Sequence, residues 1–195
     1  LESIKNEIPQ NATLLEIGCA DGVVLKAIEE RFPNMFSKLI GVDISPGMIA
    51  EAKESNNNPR AIYMLRDELL NQKFDVVIEL GVHPFNLTGE LGYVSEVLNP
   101  AGYFFYDLVG SKSIFVALKL KNTHFVSDYI PYSEARKKIE SFFTITRSVP
   151  YGLFIPKLWS VPALARSLQS IVDFVLRKLT PELFHEQIYL LKKNS

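Results

Sequence analysis

The sequence predicts an α/β fold, with a mostly parallel sheet sandwiched between two helical layers. Three observations predict it. Short apolar runs alternate with stretches of helical periodicity, the pattern of right-handed βαβ units. An acid closes or follows each of the first four runs: Glu16, Asp43, Asp67 and Glu79. The first run passes through the small-residue turn Gly18-Cys19-Ala20-Asp21-Gly22 directly into an amphipathic helix. Open parallel sheets bind ligands at the carboxyl edge, where such a turn presents backbone N–H groups.

The elements follow in order. Residues 1–12 are a polar lead-in containing Pro9, and Thr13 to Ile17 is the first strand. Val23, Val24, Ala27, Ile28 and Phe32 recur at helical spacing, and Pro33 stops that helix. Leu39 to Ile44 is the second strand. Ser45-Pro46 reads as N-cap and first helical residue, because Ser accepts from exposed N–H groups and Pro needs no partner there. Met48, Ile49 and Ala52 form the buried stripe of the helix it opens, and Asn56 to Pro59 is a loop. Ala61 to Leu65 is the third strand. Phe74 to Ile78 is the fourth, continuous and β-branched, as a strand covered on both faces is. Leu91 to Leu98 is a helix weakened by Gly92, and Asn99 to Gly102 is a tight turn into a fifth strand, Tyr103 to Tyr106.

The pattern loosens after Leu108. Ser113 to Leu120 is a candidate helix and Lys121 to Pro131 a loop. Ser133 is the expected cap of a helix over Glu134 to Glu140. Phe142 to Val149 and Gln187 to Leu191 are the last two strands, one of them a candidate for antiparallel pairing. Between them, Tyr151 to Trp159 is apolar and interrupted by Pro and Gly, and Leu164, Leu168, Ile171, Val172, Val175, Leu176 and Leu179 make a helical stripe. Such a stripe reads first as a cover for the core. The alternative is peripheral membrane contact through 151–179, with Lys157, Arg166, Arg177 and Lys178 toward anionic lipid.

The 195 residues fit one domain, 1–195, with substrate-side insertions at 108–140 and 150–182. The chain begins at Leu1 without a methionine, so the expectation is that native N-terminal sequence is missing and that a lid has been truncated with it. A net charge of −1 gives no sign of nucleic-acid binding. The single Cys19 excludes an intramolecular disulfide and fits a reducing, cytoplasmic setting. No apolar run is long enough to span a bilayer.

The acids carry the chemistry. A carboxylate ending the second strand can accept from both hydroxyls of a ribose, and Asp67 can accept from an exocyclic adenine amine. Gly18 lets backbone approach a ligand where a Cβ would collide. Each residue also has a plainer reading: Asp21 as a helix cap, Glu79 as a solvated strand end, Gly22 as a packing glycine. As an ordered set they point to a nucleoside. A dinucleotide site needs G-x-G-x-x-G around a pyrophosphate, whereas this turn is G-x-A-x-G with Glu16 before it. A carboxylate suits a ligand with an ammonium and a sulfonium better than an anionic one.

LLEIGCADG, GVDISPGMIAEA, MLRDELL, FDVVIELGVH and VLNPAGYFFYDL together resemble five ordered segments of the class I, Rossmann-like S-adenosylmethionine-dependent methyltransferases. The likeness covers Leu14 to Asp107, with Ala20 and Ala101 standing where the family has glycine. It implies a seven-stranded sheet whose last strand is antiparallel, with S-adenosyl-L-methionine as cofactor. It assigns Glu16, Gly18, Cys19, Ala20, Gly22, Asp43, Ile44, Met48, Asp67, Glu68, Glu79 and Leu80 to the cofactor, and implies no metal. Methyl transfer to a small molecule, lipid-linked or sugar, is the expected reaction. A catalytically silent binding module and an enzyme acting on protein or RNA are the alternatives. His83, just past the fourth strand, is the candidate general base, with a loop turn at His83-Pro84 as its plainer reading. Tyr106, Asp107, Tyr129, Tyr132 and Tyr151 are candidates for an acceptor pocket, and Cys19 for packing rather than nucleophilic work.

Overall fold

The computed structural model describes residues 1–56, 58–82, 86–113, 116, 130–152, 175 and 181–194. Seven strands form one sheet: β1 (Ala12–Ile17), β2 (Phe36–Asp43), β3 (Ala61–Leu65), β4 (Phe74–Glu79), β5 (Leu98–Val109), β6 (Phe143–Tyr151) and β7 (Glu186–Lys193). Their order is β3-β2-β1-β4-β5-β7-β6. Strands β1 to β5 pair in parallel, and β7 runs antiparallel to both β5 and β6. The order reverses between β1 and β4, so the carboxyl ends of those two strands flank the crevice in which such sheets bind ligands.

Helices α1 (Val23–Arg31), α2 (Pro46–Ser55), α3 (Leu87–Val97) and α4 (Tyr132–Glu140) cover the two faces. One apolar layer joins Leu15, Ile17, Val77, Phe104 and Tyr106 to Leu91 and Val94 of α3 and to Ala135 and Ile139 of α4. The other joins Leu14, Val76 and Ile78 to Leu25 and Ile28 of α1, and to Ile49 and Ala52 of α2. Ile4 and Ile8 of the lead-in belong to this second layer, behind a short 3-10 turn at Glu2–Ile4. Of the residues 108–140 expected as an insertion, Leu108, Tyr132, Ala135 and Ile139 are core residues.

The cap at Ser45 forms as expected: its hydroxyl accepts from Met48 N at 3.4 Å, with Pro46 at the first helical position. Three local expectations change. Helix α3 starts a turn earlier than Leu91, because Asn86 caps it by accepting from Gly89 N at 3.1 Å. Asn99 to Gly102 is no separate turn but a bulge inside β5: Phe74 pairs with Leu98, and Val76 with Tyr103. Ser133 does not cap α4. The Glu182 carboxylate, some fifty residues away, accepts from Tyr132 N at 3.3 Å and Ser133 N at 3.2 Å. The stripe from Leu164 to Leu179 lies outside the described residues apart from Val175, as do Phe154 and Trp159. Among the described residues no helix is long and apolar enough to cross a membrane.

Candidate functional site

Two adjoining hollows open at the carboxyl edge. One, of about 670 Å³, is lined by Ile17, Gly18 and Ala20 from β1 and its turn, Val42 to Ile44 from β2, Gly81 and Val82 after β4, and Asn86, Gly89 and Glu90 of α3. The other, of about 620 Å³, is lined by Leu65 to Asp67, Leu69 and Tyr93. Ile44, Arg66, Gly89 and Glu90 belong to both, so the two are lobes of one cleft. Each lobe is within the roughly 300–1,000 Å³ of small-molecule sites.

Asp43 lines the first lobe, next to the shared Ile44, and holds the glycine turn in place. Its Oδ2 accepts from Ala20 N at 3.0 Å and its Oδ1 from Ser45 N at 2.8 Å. Gly18 N and Cys19 N donate to Val42 O at 2.8 and 3.0 Å, which pins the turn against β2. Gly18 has φ +72°, and a Cβ there would lie 2.2 Å from Val82 Cγ2. Ala20 also lies in the left-handed region, at φ 45°. That conformation costs a non-glycine residue about 1 kcal/mol. Ala20→Gly is therefore expected to stabilise the protein by about 0.5–1 kcal/mol, read as a shift in denaturation midpoint; a lower midpoint would show that Ala20 makes contacts outweighing the strain.

The cleft places some of the expected residues together and others behind its wall. Gly18, Ala20, Asp43 and Ile44 line the first lobe, and Asp67 the second. Ile44 is 83% exposed, an apolar surface held open at the junction. Cys19 is buried below the turn and touches the place where a Gly41 Cβ would be. Burial pushes its thiol up to about 12, which leaves it protonated and suited to packing. Gly22 is the N-cap of α1, with φ 78°, and packs against the Tyr63 ring. Met48 is half-buried in the first turn of α2, and Glu68 accepts from Leu65 N at 2.9 Å. Leu80 is 38% exposed beside Gly81.

Glu16 and Glu79 are both buried, and neither lines the lobes. A hydrogen bond from the Leu25 backbone reaches Glu16, whose Oε2 has no partner, and both Glu79 oxygens lack one. Burial raises each carboxyl to about 8. The charges of Asp21 and Asp43 add to this at Glu16, and those of Glu90 and Asp107 at Glu79, where Arg66 opposes them. Of the candidates for an acceptor pocket, Tyr106 and Tyr132 are core residues, while Asp107 bonds to both Gly81 and Tyr151. His83 and Tyr129 lie outside the described residues.

Sequence reasoning missed the α3 wall: Asn86, Gly89, Glu90 and Tyr93, together with Arg66. The Arg66 guanidinium reaches both Glu90 oxygens at 2.7 and 2.9 Å and lies 4.9 Å from the centre of the Tyr93 ring. The signal for the first three was present in Asn86, a cap residue three positions before Gly89.

The donor set fits a nucleoside sulfonium. With Arg66 bonded to Glu90, the other charged side chains on the cleft wall are Asp43 and Asp67, both acidic. Gly81, at φ +73°, has open space where a Cβ would stand, so the floor comes closest to a ligand as bare backbone. A model of the methyltransferase domain matches residues 15–104, the span that builds this cleft. Over those residues, just under half of the chain, the sequence is similar to the methyltransferase domain family. The cofactor of that family is S-adenosylmethionine.

Among curated relatives of this chain, malonyl-[acyl-carrier protein] O-methyltransferase 1 of Ilyobacter polytropus is 25% identical over 170 residues, 81% of this chain and 62% of its own. The malonyl-[acyl-carrier protein] O-methyltransferase of Acetivibrio thermocellus is 26% identical over 132 residues, 65% of this chain and 42% of its own. The chain thus spans less than two thirds of either relative. An S-adenosylmethionine-dependent methyltransferase from Mesorhizobium loti has the same fold, with a TM-score of 0.68 at 14% identity, covering 98% of this chain and 96% of its own.

Proposed function

We propose that this chain transfers a methyl group from S-adenosylmethionine to a small-molecule acceptor. The observation that carries the reading is the two-lobed cleft with Asp43 in one lobe, Asp67 in the other, and acidic groups rather than a phosphate cradle along its wall. S-adenosylmethionine supplies a methyl on a cationic sulfur, already an electrophile, so the protein's work is alignment and exclusion of water. Asp43 keeps lone pairs for the ribose hydroxyls beyond those given to Ala20 and Ser45. Ile44 offers an apolar face to the base, and Asp67 an acceptor for its amine. The backbone of Gly18 and Gly81 allows close approach. For an oxygen acceptor, His83 is the proposed base, and His83→Ala should slow turnover without changing donor affinity. An unchanged rate would remove His83 from the mechanism. The names of the curated relatives make the carboxylate of a malonyl thioester the first acceptor to assay. We read the setting as cytoplasmic on the strength of the lone thiol.

Thermal shift separates this reading from a nicotinamide-dependent one. S-adenosylhomocysteine should raise the melting temperature by several degrees at concentrations well above its Kd. NAD should leave it unmoved, and the reverse result would overturn the reading. Transfer of label from the methyl donor to a product separates an enzyme from a silent binding module.

A further inference from the structure

Asp107 lies on β5, the strand next to the cleft floor, and is a buried acid at the carboxyl edge with a partner at the ends of two other strands. Its Oδ1 accepts from Gly81 N at 2.9 Å, and its Oδ2 accepts from the Tyr151 hydroxyl at 3.1 Å. Gly81 is part of the cleft and holds φ +73°. Tyr151 is the last residue of β6, and β7 lies between β6 and β5. Two strand spacings amount to about 9.6 Å, so the phenol must reach over β7 to meet the carboxylate. In register, Asp107 faces Ile188 and Tyr151 faces Glu186, which puts Tyr151 and Asp107 on one face of the sheet. Glu186, Ile188 and Val109 lie along the same path, and Asp107 joins it to Gly81 of the cleft.

The geometry points to Asp107 as a positioning residue, one that fixes the Gly81 turn for the methyl donor and takes its own orientation from the Tyr151 hydroxyl across β7. This rests on the reading of the cleft as a methyl-donor site. The argument is one of constraint. A glycine N–H in a left-handed turn beside a cleft has many alternatives, and a buried carboxylate is a strong acceptor that selects one. A carboxylate held by a single bond still rotates about χ2. The second bond, from the phenol, removes that freedom. Donor affinity is thereby tied to the antiparallel β7-β6 ribbon, which lines neither lobe of the cleft.

The test is calorimetric titration of S-adenosylhomocysteine into the unaltered chain, Asp107→Ala, Asp107→Asn, Tyr151→Phe and the Asp107→Ala/Tyr151→Phe double variant. Melting temperatures without ligand and the exchange rate of the Gly81 amide are measured alongside. Asp107→Ala should weaken binding about tenfold and speed Gly81 exchange. Asp107→Asn, whose amide oxygen can still accept from Gly81, should recover most of the affinity. Tyr151→Phe should weaken binding about threefold in the unaltered background and have no further effect beside Asp107→Ala. A folded Asp107→Ala that binds as the unaltered chain does, or equal Tyr151→Phe losses in both backgrounds, would overturn the inference. If Asp107→Ala fails to fold, Tyr151→Phe decides, since it removes one hydroxyl only and unchanged binding would be contrary. If the unaltered chain does not bind S-adenosylhomocysteine, the donor reading falls. Gly81 exchange then still judges the coupling: unchanged exchange in Tyr151→Phe would refute it.

Discussion

Asp43→Ala should reduce S-adenosylhomocysteine affinity at least a hundredfold and also lower stability. Two losses combine. The ribose hydroxyls lose a charged acceptor, and hydrogen bonds to charged groups contribute about 1.5–3 kcal/mol each. The turn loses its anchor as well, because Ala20 N and Ser45 N both donate to this carboxylate. Sequence reasoning alone expects the fold to be almost untouched, since an acid at a cleft edge reads as free for ligand. The structure shows it bonded to the scaffold at Ala20 N and Ser45 N, so a loss of about 1–2 kcal/mol in unfolding free energy should accompany the binding defect. Asp43→Asn separates the two, since one amide oxygen can still accept while the charge is gone. Calorimetry with denaturation curves on both variants reads the division. Undiminished affinity in Asp43→Ala would end the assignment of the cleft.

Glu79→Gln should stabilise the protein at pH 8.5 by roughly 2–4 kcal/mol and make little difference at pH 5. The carboxyl is fully buried between Ile17 of β1 and Tyr106 of β5, and neither oxygen has a partner. Burial raises it to about 8 in the folded chain, whereas in the unfolded chain it titrates near 4.5. The unfolded chain therefore releases this proton first as pH rises. Stability owed to the neutral group is complete below about 4.5 and is lost progressively up to about 8, beyond which the loss is constant. Glutamine resembles the neutral form and does not titrate, so its advantage grows across that window. Glu16, raised to about 8 as well, deepens the same slope in both proteins and cancels from their difference. Melting curves at several pH values test this; a difference that does not change with pH would mean that Glu79 is ionised and partnered in the folded chain.

How much of this was legible in the sequence depends on the range of the interaction concerned. The strands of the crevice, the Ser45-Pro46 cap and the acids at the strand ends all follow from periods of two and 3.6 and from local turn chemistry. The start of α3 was hidden because Gly89 and Gly92 dilute its helical signal, and with it went the cleft wall built by Glu90 and Tyr93. The direction in which each strand-end acid faces was also out of reach. Asp43 and Asp67 open into the cleft, whereas Glu16 and Glu79 turn beneath it, a distinction made by packing against α1 and α3 rather than by spacing. The cap of α4 comes from Glu182, which no window of neighbouring residues contains. Tyr151 and Asp107 are forty-four positions apart and meet only because β7 is threaded between their strands.

That threading has a consequence for synthesis. The sheet cannot close until β7 has been made, since it is the last of the described strands and yet occupies an inner place, flanked by β5 and β6. Until the ribosome has delivered Glu186 to Lys193, β5 keeps an open edge and β6 has no mate among the described strands. A nascent chain in that condition is a substrate for chaperones and for aggregation. A stalled or prematurely released product would differ from the finished one in solubility long before it differed in the crevice.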